Sequence, residues 1–188
     1  MGREIRRVPP NWEHPTKEYP NYRLGTMEVR YQPMYDRAFA PAMREWIADW
    51  DAWERGERPD YCSEESKILP YWEWSGGPPD PEYYRPDWQE GLATWWQVYE
   101  TVSEGSPVSP PFATQQELVD YLVEHGDFWD QKRRQEGRSR IDCAPWSKES
   151  ATAFVFGSGW APSLVVVDGK VMTGVEFMAT PDPQQEQP

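Results

Sequence analysis

Twenty prolines are spread along this chain of 188 residues. They limit what it can fold into, because proline removes a backbone donor and ends helix interiors and sheet ladders. Connections must therefore be long and stiff. The extreme case is YWEWSGGPPDPEYYRPDW, Tyr71–Trp88, where six aromatic rings and four carboxylates share a stretch that can form little regular structure. The chain carries 12 Trp, 10 Tyr and 6 Phe, and rings of this size each bury roughly 150–250 Å². An aromatic-rich core follows. The length suits one domain, expected over residues 1–179, with 180–188 (TPDPQQEQP) as a frayed tail.

Periodicity places the elements. REIRRV reads as an edge strand that stops at Pro9-Pro10 and continues as an extended arm. In GTMEVRYQPMY, the residues Met27, Val29 and Tyr31 alternate with Glu28, Arg30 and Gln32, the pattern of a half-buried strand. A helix is predicted over Pro41–Arg55, where Met43, Trp46, Ile47, Trp50 and Trp53 fall on one stripe and Gly56 ends it. Packing alone demands such a stripe, so its indoles read first as core and only second as a ligand platform. Thr114 and Glu117 form a capping box ahead of LVDYLVEHG, which predicts a second helix ending at Gly126. A third, shorter helix follows Ser147 and carries Ala151, Phe154 and Val155. In SLVVVDGKVMTGVEF, Asp168-Gly169 between two β-branched runs predicts a C-terminal hairpin. No repeat and no βαβ rhythm is present, so the expected class is α+β: two to three helices, a small antiparallel sheet and long Pro-rich loops.

The net charge is −13, and its placement matters more than its size. Residues 1–59 hold ten basic and ten acidic side chains and residues 131–188 seven of each, whereas residues 60–130 hold fifteen carboxylates against Lys67 and Arg85. A field of one sign repels nucleic acid and acidic membranes and attracts basic partners. The longest aliphatic run, Leu164–Val167, is far below the roughly 20 apolar residues a spanning helix needs. The start has charge but no apolar signal region. Two cysteines, Cys62 and Cys143, are read as reduced thiols of an intracellular protein.

Nucleophile and phosphate-loop motifs are missing, and the two histidines, His14 and His125, have no second ligand at metal spacing. The residues predict no metal, no cofactor and no catalytic constellation. Glu45 and Asp49 stand four apart on the first helix, which reads as a solvated face before an acid/base dyad. On the second helix Glu117, Asp120 and Glu124 form an acidic stripe that could occupy a protein groove meant for nucleic acid, or merely keep the protein soluble. Lys132–Arg140 (KRRQEGRSR) is an opposing basic segment, read as a loop; it is short and lacks interleaved aromatics, so direct nucleic-acid binding is not expected.

Three pieces, REIRRVPPNWEHP, YETVSEGSPVSPPFATQQELVDYLVEHG and SGWAPSLVVVDGKVMTGVE, carry a resemblance. They are similar to a group of small tailed-bacteriophage proteins of unassigned activity with an R-x-V-P-x-x-W-x-H-P opening, a central S-E-G-(S/T)-P and a late W-A-P-S. The resemblance covers about a third of the chain, implies a phage origin and a place in the host cytoplasm, and transfers no catalytic residue. The expected function is occupation of a basic host protein or nucleoprotein complex, such as a nuclease or anti-phage effector. The candidate contact residues are Trp72, Glu73, Trp74, Asp80, Glu82, Tyr83, Tyr84 and Asp87 of the ring-rich stretch, with Glu117, Asp120 and Glu124 of the second helix. Two other readings stand beside it: an enzyme, or a protein that binds or sequesters a small molecule or nucleotide, with a pocket built from Trp12, His14 and Arg6 or Arg7, and a phage structural accessory protein. The oligomeric state is left open.

Overall fold

In the computed structural model, which describes residues 2–102, 105–137, 145–167 and 169–178, the opening REIRRV forms strand β1 (Arg3–Val8). Antiparallel partners flank β1 on both sides, β6 (Trp95–Glu100) along its whole length and the two-residue β7 (Trp160–Ala161) at Arg3 and Glu4. The expected edge strand is therefore central. Pro9-Pro10 fixes where the ladder stops, but Arg3–Val8 contains no proline and keeps its donors for both neighbours. By its internal contacts the chain divides into two compact units, Met1–Pro33 with Trp88–Pro188, and Met34–Asp87.

In the first unit the sheet packs on α3 (Gln115–His125) and α5 (Lys148–Phe156) around Val98, Leu118, Leu122, Ala151 and Phe154, all 0% exposed. The predicted capping box is present: Thr114 Oγ1 accepts from the Glu117 N–H at 3.2 Å, and the Glu117 carboxylate accepts from the Thr114 N–H at 2.9 Å. Gly126 closes the helix at φ +69°, where a Cβ would lie 2.9 Å from Asp130 Oδ2. Thr114→Ala should cost about 1 kcal/mol in urea denaturation and Thr114→Ser a few tenths. Ser147 caps α5 by accepting from the Ser150 N–H at 3.1 Å.

Helix α4 (Phe128–Gln135) arises where a loop was expected. Asp127 and Asp130 make a second capping box, which holds Lys132, Arg133 and Arg134 on a helix; residues 138–140 lie outside the described residues. Two hairpins complete this unit, β2 (Thr16–Asn21) with β3 (Thr26–Tyr31), and β8 (Leu164–Val167) with β9 (Lys170–Thr173), followed by the single turn α6 (Gly174–Phe177). The C-terminal hairpin forms as predicted, with Val167 paired to Lys170 and Gly169 at φ +74°; Asp168 lies outside the described residues. Strand β3 is not half-buried as its alternation suggested, because Met27 and Val29 remain 58% and 63% exposed. Alternation sets which residues share a face but not whether anything covers it.

The second unit begins with β4 (Tyr35–Ala38), paired in parallel with β5 (Tyr84–Arg85), and is dominated by α1 (Phe39–Glu54). The helix starts two residues before the predicted Pro41, which sits in the first turn where no intrahelical N–H is required. Its stripe is only partly inside. Ala42 and Trp53 are buried, whereas Ile47 and Trp50 are 43% and 40% exposed. The stretch Tyr71–Trp88 contributes a helical turn, α2 (Tyr71–Trp74), and a 3-10 turn at Pro81–Tyr83. Among the described residues no helix is long and apolar enough to cross a membrane.

Candidate functional site: an aromatic cavity in the second unit

The turn α2 folds its rings back onto α1. Tyr71 is 5% exposed and lies 5.3 Å from Trp46 and 5.8 Å from Trp53, centroid to centroid. Trp53 donates its Nε1–H to the Leu69 carbonyl at 3.1 Å and stacks on Trp74 at 4.7 Å and 29°. Tyr61 continues the series, 6.1 Å from Trp74 at 26°, but is 81% exposed. Between these rings opens a cavity of about 310 Å³, with Asp49 and Glu57 on its wall. That volume is at the lower end of ligand pockets. Burial pushes the Tyr71 hydroxyl up, and the Asp49 carboxylate beside it adds to the shift. Arg58, also on the wall, lies over the Trp53 ring at 3.8 Å and donates to the carbonyls of Trp53 and Glu57.

Residues singled out from the sequence divide between this cavity, the packing of the unit and the open surface. Trp74 lines the cavity, whereas Trp72 points outward at 55% exposure beside the exposed Glu73. Tyr84 packs on Tyr35 at 5.1 Å and Phe39 at 5.8 Å, and Tyr83 is half-buried. Asp80 caps the 3-10 turn by accepting from the Glu82 N–H at 3.0 Å; Glu82 and Asp87 are exposed. Glu45 pairs with Arg37 at 2.8 Å while Asp49 faces the cavity, so the two do not form a dyad. Cys62 is buried in the same aromatic cluster, and Cys143 lies outside the described residues. Sequence reasoning missed Tyr61, Glu57 and Arg58. They follow the helix in a turn without periodicity, so only the fold brings them to Trp53.

Glu117, Asp120 and Glu124 belong to α3 of the first unit and are all exposed. Glu117 is engaged in the cap, Asp120 accepts from Gln116 at 2.8 Å and Glu124 lies 3.7 Å from His125. The alternative pocket residues are neighbours in part. His14 is buried; desolvation holds it below the usual imidazole range, and the Arg6 charge adds to this. The neutral ring places its proton on Nε2, 2.6 Å from the Gln32 carbonyl, and Nδ1 faces the Tyr99 hydroxyl at 3.1 Å. Trp12 meets His14 edge-on at 6.1 Å and Trp88 at 5.1 Å, and Arg6 lies over Tyr99 at 4.4 Å. Arg7 is elsewhere, stacked on Trp96 at 3.9 Å. Three stretches distant in sequence meet in this sheet: Arg6 passes Gly105, where a Cβ would be 2.4 Å from its guanidinium, and Ala161 pairs with Arg3. This arrangement is a packing network around β1, in which the buried Trp12 Nε1–H and the Gln32 side-chain amide nitrogen have no hydrogen-bond partner among the described residues.

Among the described residues no three of His, Cys, Asp or Glu are placed to hold a metal ion. No protein-family model, curated protein or solved structure matches the chain.

Proposed function

We propose that this is a binding protein that occupies a basic protein surface of the kind that holds nucleic acid. The resemblance to tailed-phage proteins makes a host nuclease or anti-phage effector the class of target. The observation that carries the reading is the second unit itself, which holds thirteen carboxylates against six basic side chains and an open cavity walled by Trp and Tyr. Rings on a proline-stiffened segment lose little entropy on binding, and Trp and Tyr anchor protein interfaces. A second acidic face, α3, lies in the first unit.

The test is affinity capture from host lysate on the tagged full-length protein. A basic nucleic-acid-binding protein should be retained at low salt, then released at roughly 0.5 M salt and by excess duplex DNA. Glu73→Lys, Asp87→Lys, Asp120→Lys and Glu124→Lys together alter exposed carboxylates that cap no helix. They should lower recovery by about tenfold or more while leaving the circular dichroism unchanged. Recovery unaffected by these four changes, or indifferent to DNA, would refute occupation of a nucleic-acid groove.

A further inference from the structure

We propose that the cavity of the second unit receives an arginine side chain of the basic partner, with the guanidinium entering between Trp74 and Tyr61. This rests on the binding reading above and names the group that the cavity recognises. The rings of Trp53, Trp74 and Tyr61 follow one another nearly in parallel, but their spacing widens from 4.7 Å to 6.1 Å. A planar group between two rings needs about 7 Å, two contact distances of roughly 3.5 Å each. With 6.1 Å between the Trp74 and Tyr61 centroids, the two rings must part to admit one. Tyr61, 81% exposed, is the side that can move outward. Trp74 is held on its other contacts by Trp53 and Tyr71, so the slot has one fixed wall and one adjustable wall.

The same cavity already shows how its indoles take a guanidinium. Arg58 lies 3.8 Å over Trp53, and its N–H groups donate to the carbonyls of Trp53, Glu57 and Lys67. Carbonyls hold Arg58, and the wall also carries Asp49, whose carboxylate lies beside the Tyr71 hydroxyl, and Glu57 as the acidic residues a second cation would meet. Glu57 shares its carboxylate with Arg55 at 2.8 Å on the exposed side.

Charge and shape together select the ligand. A phosphate-bearing nucleotide is repelled by the carboxylates. A lysine ammonium is compact and strongly hydrated and has no flat face, whereas guanidinium is planar, weakly hydrated and stacks on aromatic rings while its edges donate to carboxylates. The cavity is therefore specific for arginine over lysine, a distinction that dispersed surface charge cannot make.

Calorimetric titration of the full-length protein with tetra-arginine and tetra-lysine peptides, which carry equal charge, tests this directly. The arginine peptide should bind about tenfold tighter, and Tyr61→Ala should bring it down to the lysine value while Tyr61→Phe preserves the difference. Tyr61 is exposed enough that its loss leaves the fold intact, which circular dichroism verifies. Equal, salt-sensitive affinity for both peptides would overturn the arginine cavity and leave the acidic-surface reading standing. No binding of either would remove both. Displacement of the arginine peptide by adenosine would assign the slot to neutral planar rings and overturn the proposal.

Discussion

Arg3→Met should destabilise the protein by about 3–5 kcal/mol at neutral pH, and by clearly less near pH 4. Arg3 and Asp127 are 6% and 1% exposed, and the Arg3 Nε–H donates to Asp127 Oδ2 at 2.6 Å. Asp127 also caps α4, and the buried Asp130 accepts from the Asp127 N–H at 3.1 Å and from Trp146 Nε1 at 3.1 Å. Removing the guanidinium leaves two buried carboxylates facing each other. Burial, and then the charge of Asp127, already pushes the Asp130 carboxyl from its ordinary 3.8 to about 6, with Arg3 opposing the shift. Between those values the folded state holds a proton that the unfolded state has lost. The contribution of this pair to stability therefore falls as pH rises from about 4 to 6 and is flat above. Glu100, raised by burial while it accepts from Trp129 Nε1, acts with the same sign.

Without Arg3 the pair holds its proton to higher pH, so the slope should extend toward neutrality. Asp130→Asn, which keeps an acceptor for both N–H groups, should flatten it. Urea denaturation of the three proteins from pH 4 to 8 reads all of this. A cost for Arg3→Met that is below 1 kcal/mol, or that does not change with pH, would show that water reaches these groups and screens them.

Where local chemistry decides structure, the sequence is legible. Thr114 with Glu117, the 3.6-residue recurrence of Leu118 and Leu122, and Asp168-Gly169 between two β-branched runs each specify an element through neighbours in the chain, and α3 and the β8–β9 hairpin stand where they were read. Asp127 and Asp130 carry the same kind of signal for α4, overlooked because the residues after them are almost wholly polar and offer no apolar stripe. Pairing partners are a different matter. The alternation in β1 says nothing about how many strands flank it, and β7 reaches it from about 155 residues away. The cavity is the least legible feature. The indole stripe of α1 read as core, which Trp53 is, but the cavity exists only because Tyr61, Tyr71 and Trp74 return to that helix from a loop whose path prolines permit but do not dictate.

That dependence makes Trp53 the decisive residue of the second unit, and Trp53→Ala should cost about 3–5 kcal/mol there. Its buried cluster is small: Trp53, Cys62 and Tyr71, with Trp46 and Trp74 packed against them. A unit spanning Met34–Asp87 has a total stability on the order of 3–8 kcal/mol at ordinary values per residue, so this one side chain supplies most of it. The first unit has its own cluster around Leu118 and Phe154, to which Trp53 does not belong. Hydrogen exchange read by mass spectrometry should therefore show lost protection in α1 and α2 with protection kept in β6 and α3. Equal loss in all four would mean that the two units unfold as a single cooperative structure. Trp53→Phe separates the causes: it keeps a ring against Trp74 but gives up the Nε1–H bond to the Leu69 carbonyl, and should cost about 1–2 kcal/mol. If the cavity recognises arginine as proposed, Trp53→Phe should retain the preference of the protein for the arginine peptide. Trp53→Ala should abolish it, because the slot between Trp74 and Tyr61 is only as well placed as the indole behind it.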